Sequence, residues 1–226
     1  MAKKQKISRK QLLREPDEFI TFSSKMLDLF KEHEKQVYIG IIVFFSLVIL
    51  IAGLRWNSAK KEKKAFMQYD KAQLLLVQAR QSGQNQGIDK VVQDLKNIEE
   101  KYSGTSAARL AGLTLGHVTY EKGDFKAAIP IYKDALKSFT DDPLARSMIK
   151  SGLAYCYEGS KEYKEAIKYF SEIIDDPKGV YKEDASYAIG RVYAEMGQME
   201  KSKAAYKEFA KNFPDSIYAR LAESRS

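Results

Sequence analysis

YSGTSAARLAG, at Tyr102–Gly112, is the stretch on which the fold depends, because it returns near the other end of the chain as FPDSIYARLAE, at Phe213–Glu223. Arg109 and Arg220 occupy the same place in the two copies. The interval between them equals about three units of roughly 37 residues, close to the length of a helical hairpin repeat. The sequence therefore predicts a repeat array rather than a fold with one closed core.

Three units within this interval repeat the same order of small and aromatic residues, and they span 109–142, 147–180 and 183–216. Each unit has one small residue on its first helix, another on its second helix and a large aromatic residue after it. In chain order these trios are Gly116, Ala128 and Tyr132; Ala154, Ala166 and Phe170; and Gly190, Ser202 and Tyr206. Small side chains let antiparallel helices approach closely, and the aromatic ring fills the space towards the next hairpin. The pattern predicts stacked helical hairpins.

These packing positions resemble the tetratricopeptide repeat, a helix–turn–helix unit of about 34 residues, and the resemblance covers roughly Arg109–Ser226. Two positions depart from the family. Thr119 stands where the family prefers an aromatic residue, and Pro130 lies early in a second helix, where it removes one backbone donor. The resemblance implies an all-α solenoid of three repeats (109–226, with the start of a capping helix) whose first helices form a curved inner wall that binds proteins.

Two further helices are predicted in residues 55–108, ahead of the repeats. Ala59–Arg80 is rich in the helix formers Ala, Lys, Gln and Leu, and the SGQNQG stretch at 82–87 ends it. Ile88–Tyr102 follows as an amphipathic helix whose apolar face comprises Val91, Val92, Leu95 and Ile98. We expect a linker helix that continues from the preceding segment and a helix pair that begins the solenoid.

The apolar run VYIGIIVFFSLVILIAGL, at Val37–Leu54 (37–54), contains no charged residue. As a helix with a rise of about 1.5 Å per residue it spans roughly 27 Å, close to the hydrocarbon thickness of a bilayer. A cleaved signal peptide fits less well, because a long tail precedes the run and a Lys cluster, not a small-residue cleavage site, follows it. The run predicts an uncleaved transmembrane helix in contact with membrane lipid.

The excess positive charge is concentrated on both sides of this run. The net charge is +8, with +3 in residues 1–36, +4 in residues 55–64 and +1 in the rest of the chain. The repeat region therefore lacks the stripe of Lys and Arg that binds phosphates. Nucleic acid is not expected as a partner.

Two interpretations of the basic tail, residues 1–36, stay open. Phe19, Phe22, Met26 and Phe30 recur at helical spacing, which indicates an amphipathic helix on the inner face of the membrane. The alternative is a solvated basic tail with a loosely helical stretch next to the membrane.

The flanking charges give conflicting indications of membrane orientation. Within about fifteen residues, five basic residues follow the run and three precede it, which alone would hold the following side in the cytoplasm. The opposite argument is that this orientation would carry a tail with nine basic residues across the membrane. Large domains that follow an anchor translocate with less regard to charge. We expect a cytoplasmic N-terminus and an exported C-terminal domain.

No arrangement of residues indicates an enzyme, a metal site or a cofactor site. His33 and His117 lie on opposite sides of the apolar run, and neither has partners at the spacing of a catalytic triad or a metal site. Cys156 is the only cysteine, and within a helical pattern we expect it to be a small core residue. We expect no catalysis and no cofactor.

The helical pattern also predicts which side chains line the inner wall. They come from the first helix of each unit and are Leu110, Leu113, His117, Tyr120, Met148, Ser151, Tyr155, Glu158, Tyr187 and Arg191. Such a surface suits an extended or helical peptide, although each side chain could instead pack only against neighbouring helices. Relatives that hold a C-terminal carboxylate carry Lys and Asn at these positions. That mode of binding is not expected here.

The combination of a short basic tail, one anchor, a helix pair and tetratricopeptide units resembles the YfgM-type ancillary subunits of the bacterial Sec translocon. This narrower resemblance implies an inner-membrane scaffold with a periplasmic repeat domain. Its partners would be translocon subunits, a periplasmic chaperone or exported clients. Two alternatives remain: an organiser of the cell envelope in division or outer-membrane assembly, and a structural membrane protein that self-associates as a homo-oligomer.

Overall fold

The computed structural model describes residue 26, residues 31–83 and residues 85–226. It divides into two compact units, Met1–Ser58 and Ala59–Ser226. The amphipathic helix predicted for the basic tail falls almost entirely outside the described residues, so it stays a prediction.

The apolar run lies within the first described helix, α1 (Glu34–Ser82). By length and composition, α1 is the one candidate for a membrane span among the described helices, with a mean hydropathy of 2.8 over its most apolar 18 residues. That window is 0% buried within the protein. Large side chains such as Ile42, Phe44 and Ile49 are accordingly exposed. The apolar run is thus an exposed, uncharged part of α1, as a candidate membrane span requires.

Eight shorter helices follow α1 in the described chain, which contains no strand. In order they are α2 (Asn85–Lys101), α3 (Ser106–Glu121), α4 (Phe125–Ser138), α5 (Pro143–Gly159), α6 (Tyr163–Asp175), α7 (Lys182–Glu195), α8 (Met199–Asn212) and α9 (Ala219–Glu223). The three predicted units correspond to the hairpins α3/α4, α5/α6 and α7/α8. Their first helices begin somewhat earlier than the unit boundaries chosen from the sequence. The prediction of an all-α solenoid is confirmed.

Local sequence explains where the hairpin helices begin and turn. Asp124 and Asp142 each accept a hydrogen bond from the backbone N–H three residues on, at 3.2 and 3.0 Å, and so cap α4 and α5. Between the two helices of a hairpin, Gly123 and Gly197 take φ values of 77° and 74°, which glycine adopts at no steric cost. Lys161 holds the equivalent turn position with φ 63°, so the middle hairpin makes the same turn without glycine.

The predicted contacts between small and aromatic residues are present in the first and third units. Tyr132 is fully buried. A Cβ placed on Gly116 would lie 2.9 Å from its ring, and one placed on Gly152 of the next hairpin would lie 2.6 Å from it. Tyr206 lies under Gly190 in the same way, with 2.7 Å to a Cβ placed there. These aromatic rings therefore occupy space that only glycine leaves open.

The last part of α1 packs with α2 against α3 and starts the solenoid. Leu76, Leu95 and Leu115, one from each helix, belong to a single buried cluster. A carboxylate of α1, that of Glu62, accepts hydrogen bonds at 2.9 and 3.2 Å from the N–H groups of Ser106 and Ala107, at the start of α3. A negative charge at a helix N-terminus is stabilising, because it satisfies free N–H groups and opposes the helix dipole.

Candidate protein-binding surface

All ten predicted wall residues lie on α3, α5 and α7, the first helices of the three hairpins. Nine of them are partly exposed. Leu113 is the exception, because only 8% of it is exposed and it belongs to the main core cluster. We therefore assign Leu113 to packing and treat the other nine as the candidate wall.

An ion pair joins the wall residues of α5 and α7. Arg191 donates from Nε to Oε1 of Glu158 and from Nη2 to Oε2, both at 2.8 Å, and its guanidinium carbon lies 5.5 Å from the centre of the Tyr155 ring. Burial acts against the Arg191 cation, but the hydrogen bonds and charge of Glu158 outweigh it and raise the pKa of Arg191. Two parallel hydrogen bonds fix the orientation of the Arg191 guanidinium relative to the Glu158 carboxylate and the distance between them. The middle of the wall is therefore held in one arrangement before any partner binds.

Tyrosines on either side of this ion pair extend the wall. Tyr120 of α3 packs on Phe125 at 5.4 Å, and it lies close enough to Tyr155, Glu158 and Arg191 to be affected by their charges. Burial raises the pKa of both Tyr120 and Tyr155. Both phenols are therefore neutral hydrogen-bonding groups at physiological pH, each with a partly exposed aromatic body.

The third tyrosine, Tyr187 of α7, is held in an aromatic cluster. Its ring stacks on Tyr218 at 4.9 Å and contacts Tyr206 and Phe209 at 5.2 and 5.4 Å. Tyr218 lies in the turn before α9. Aromatic residues near the C-terminal end of the array therefore hold the Tyr187 ring in place. A partner can contact only the part of Tyr187 that stays exposed.

His117 contacts both the wall and the core. Its Nδ1 lies 2.8 Å from the hydroxyl of Tyr132, and the two rings meet edge to face at 5.4 Å. Burial lowers the pKa of His117, and nearby Glu121 opposes that effect only in part. The neutral imidazole is therefore favoured, with a hydrogen bond that orients the ring. His117 is therefore a polar group of the candidate wall whose ring is held in place by Tyr132.

Sequence reasoning missed one acidic residue of this surface. Asp184 lies on α7 close enough to Tyr155 to affect its pKa, and burial raises the pKa of Asp184 itself. The repeat spacing already pointed to this residue, because Asp184 holds the position in the third unit that Leu110 and Met148 hold in the first two. Applying the same spacing to all three units would have included it.

The described residues contain no group of three or more His, Cys, Asp or Glu side chains that could hold a metal ion. Cys156 is fully buried, and burial raises its pKa to about 12. A thiol without charge at neutral pH is a poor nucleophile. This surface offers aromatic faces, hydroxyls and a few charges, which are groups that bind a polypeptide.

Comparison with known proteins agrees with this architecture. The sequence profile of the family described as tetratricopeptide repeat-like domain matches residues 28–223. No curated protein matches the sequence significantly. A tetratricopeptide repeat protein from Parabacteroides merdae ATCC 43184 superposes with a TM-score of 0.53 at 18% identity, covering 70% of this chain and 59% of that one.

A second solved structure shows the same fold. It is a candidate kinesin light chain of Podosopora anserina with nearly identical TPR-like repeats, which superposes with a TM-score of 0.54 at 12% identity and covers 73% of this chain and 84% of its own. At such identities the two structures support the fold and nothing finer. With the profile match over most of its length, the chain belongs to the tetratricopeptide repeat-like domain family.

Proposed function

We propose that this protein is a non-catalytic scaffold that binds a segment of another protein along the wall formed by α3, α5 and α7. The observation that carries the proposal is the line of partly exposed tyrosines, Tyr120, Tyr155 and Tyr187, on three successive first helices around the Arg191–Glu158 fork. Tyrosine contributes a large contact area at a low entropic cost, and a fixed fork of charges limits which segments fit.

We further propose that α1 anchors the scaffold in a membrane through residues 37–54. The support is the length and apolar composition of this helix and the exposure of its most apolar window. We retain the orientation expected from the sequence, with the tail in the cytoplasm and the repeat domain on the exported side. In a bacterium this would be the inner membrane, with the repeats in the periplasm.

The partner class proposed is a protein of the export machinery: a translocon subunit, a periplasmic chaperone or an exported client. This proposal rests on the resemblance of the whole architecture to YfgM-type translocon subunits. An envelope organiser and a self-associating structural protein use the same fold with different partners. The identity of the bound chains distinguishes the three proposals.

Crosslinking in intact membranes, followed by identification of the captured chains, tests the proposed partner. Translocon subunits, chaperones or exported chains would support the export role. Capture of division or outer-membrane assembly proteins would replace it with the envelope role, and capture of this chain alone would favour self-association.

A reporter fused after Ser226 tests the orientation separately. A reporter that is active only in an oxidising, exported compartment should be active. A paired reporter that is active only in the cytoplasm should be silent. Activity confined to the cytoplasmic reporter would overturn both the orientation and the export role.

A further inference from the structure

A cleft runs between α1 and α2 on the part of the solenoid that precedes the repeats. Its apolar lining comprises Leu75, Ile98 and Tyr102. Its lining also includes three lysines: Lys71 of α1, and Lys90 and Lys101 of α2. The cleft belongs to neither the candidate wall nor the buried core of the three hairpins.

The charge of this cleft is mostly positive and is not neutralised internally. Asp94 is the one acidic residue among the side chains that line it. Among the described residues, no ion pair forms between Asp94 and any of these lysines, and none of the three lysines pairs with another carboxylate. Lys101 instead lies 5.7 Å from the centre of the Tyr102 ring. The cleft thus combines three available cations with one acid.

Two exposed apolar side chains of α1 are sequence neighbours of residues that line the cleft, Gln68 and Leu75. Met67 and Leu74 are 52% and 59% exposed, and they share a face of the helix with Lys71, because residues four and seven positions apart lie on the same side. In a repeat solenoid, the outer side of each hairpin normally packs against the next hairpin, and a terminal hairpin needs a polar outer face. Here the outer side of the α1/α2 pair, which precedes the three hairpins, keeps Met67 and Leu74 exposed.

From this surface we propose that the α1/α2 cleft is a second binding site, and that its occupant is an amphipathic helix of a partner protein with acidic residues beside its apolar stripe. The apolar stripe would cover Leu75 and the neighbouring Met67 and Leu74, and the carboxylates would pair with Lys71, Lys90 and Lys101. In this mode of recognition, an amphipathic helix lays its apolar face into a groove of its partner.

The charges argue against a second copy of this chain as the occupant. A symmetric dimer through this face would bring the same patch on both copies together, and Lys71, Lys90 and Lys101 would then face their own equivalents. Like charges across an interface are unfavourable.

The spacing of the lysines favours a protein helix over a lipid head group. Along the axis of α2, the backbone positions of Lys90 and Lys101 are about 16 Å apart, since a helix rises about 1.5 Å per residue. Carboxylates placed three turns apart along a partner helix span this distance, whereas a single phosphate contacts one end of it.

The test uses the full chain in detergent micelles and a fluorescein-labelled synthetic helix of about 18 residues, long enough to form a helix. The peptide carries Leu at every third or fourth position and Glu on both flanks, and a second peptide has Lys in place of Glu. Fluorescence anisotropy should show saturable binding of the acidic peptide only. Raising the ionic strength from about 0.05 M to about 0.5 M should weaken it, because salt screens exposed charges.

Charge reversal locates the site. The triple variant Lys71→Glu, Lys90→Glu and Lys101→Glu should weaken binding of the acidic peptide about tenfold or more. The control variant Lys164→Glu, Lys203→Glu and Lys207→Glu makes the same change in net charge at exposed lysines of α6 and α8 and should bind as the wild type does. If the first triple variant loses helical circular dichroism, the corresponding Lys→Gln variant replaces it, with a smaller expected loss.

Three outcomes of the peptide assay would overturn the proposal: no binding of the acidic peptide, equal loss in the two triple variants, or equal binding of the acidic and basic peptides. Liposomes of phosphatidylcholine with and without phosphatidylglycerol provide a further arm. If the lysine variant loses binding to the anionic liposomes but not to the acidic peptide, the cleft is a lipid site and the proposal fails. Loss of peptide binding with the partners of the candidate wall retained would leave the function proposed above intact.

Discussion

Arg191 and Glu158 form a fork of two 2.8 Å hydrogen bonds that joins the first helices of the second and third hairpins. The side chain of Glu158 is only 11% exposed and that of Arg191 is 37% exposed. A pair in this setting loses less of its energy to solvent screening than a surface pair does. The fork therefore contributes both to the stacking of the two hairpins and to the fixed shape of the candidate wall.

A double-mutant cycle measures the contribution of this fork. Glu158→Gln, Arg191→Gln and the double variant should give a coupling energy of about 1 kcal/mol in urea unfolding followed by circular dichroism. The exposed pair Asp134–Lys137, at 2.7 Å, is the control, and the same cycle there should give about 0.3 kcal/mol. Equal coupling in the two cycles would show that the fork has no structural role beyond that of a surface ion pair.

The cap that Glu62 provides for α3 predicts a second effect on stability. Glu62→Ala removes the hydrogen bonds to Ser106 and Ala107 and should lower the free energy of unfolding by about 1–2 kcal/mol. Hydrogen exchange of those two amides should also accelerate. Glu208→Ala, at an exposed site of α8, should change stability by less than about 0.5 kcal/mol. Unchanged exchange at Ser106 and Ala107 would contradict the cap.

Gly152 offers a test in which two physical effects have opposite signs. In a helix interior, Gly→Ala should stabilise by about 1 kcal/mol through propensity alone. A Cβ at this position would lie 2.6 Å from the Tyr132 ring, so we expect Gly152→Ala to destabilise by about 1–3 kcal/mol. Ser151→Ala, at the adjacent wall residue, should stabilise slightly or have no effect. A stabilised Gly152→Ala variant would mean that the two hairpins do not pack around Tyr132.

The lowered pKa of His117 predicts a dependence of stability on pH. Its pKa in the folded protein lies below the ordinary value of 6.5, so the unfolded chain binds this proton more readily. The contribution of His117 is therefore fully present above about pH 6.5 and is lost as the pH falls through the folded-state value. The wild type should lose stability relative to His117→Gln between pH 7.5 and 5.5, measured by urea unfolding. The opposite trend would contradict a burial-dominated pKa.

Some contacts of the structure could be predicted from the sequence and others could not. The Gly116–Tyr132 and Gly190–Tyr206 contacts were predictable, because each joins residues of one hairpin and recurs at a fixed spacing. The cap by Glu62 was not, because it joins residues 44 apart and occurs once. The α1/α2 cleft was missed for a related reason. Its lysines lie on two helices whose relative placement follows from packing and not from any repeated pattern.

The wall itself was predictable as a set of positions but not as an arrangement of contacts. The family spacing identified the first-helix residues, and nine of them are partly exposed. It did not show that Leu113 turns into the core, that Arg191 is already paired with Glu158, or that Tyr187 is held by Tyr218. These details depend on the rotation of each helix and on its neighbours, which a repeat pattern leaves undetermined.

The measurement that tests the central claim most directly is photo-crosslinking from the wall in intact membranes. A benzophenone amino acid replaces Met148 or Ser151 on α5, with Lys164 and Lys207, exposed on the second helices α6 and α8, as matched control sites. If the wall is the binding surface, irradiation should capture another protein from the two wall sites and not from the control sites. Capture from the control sites alone, or equally from all four sites, would contradict the scaffold function proposed for this wall.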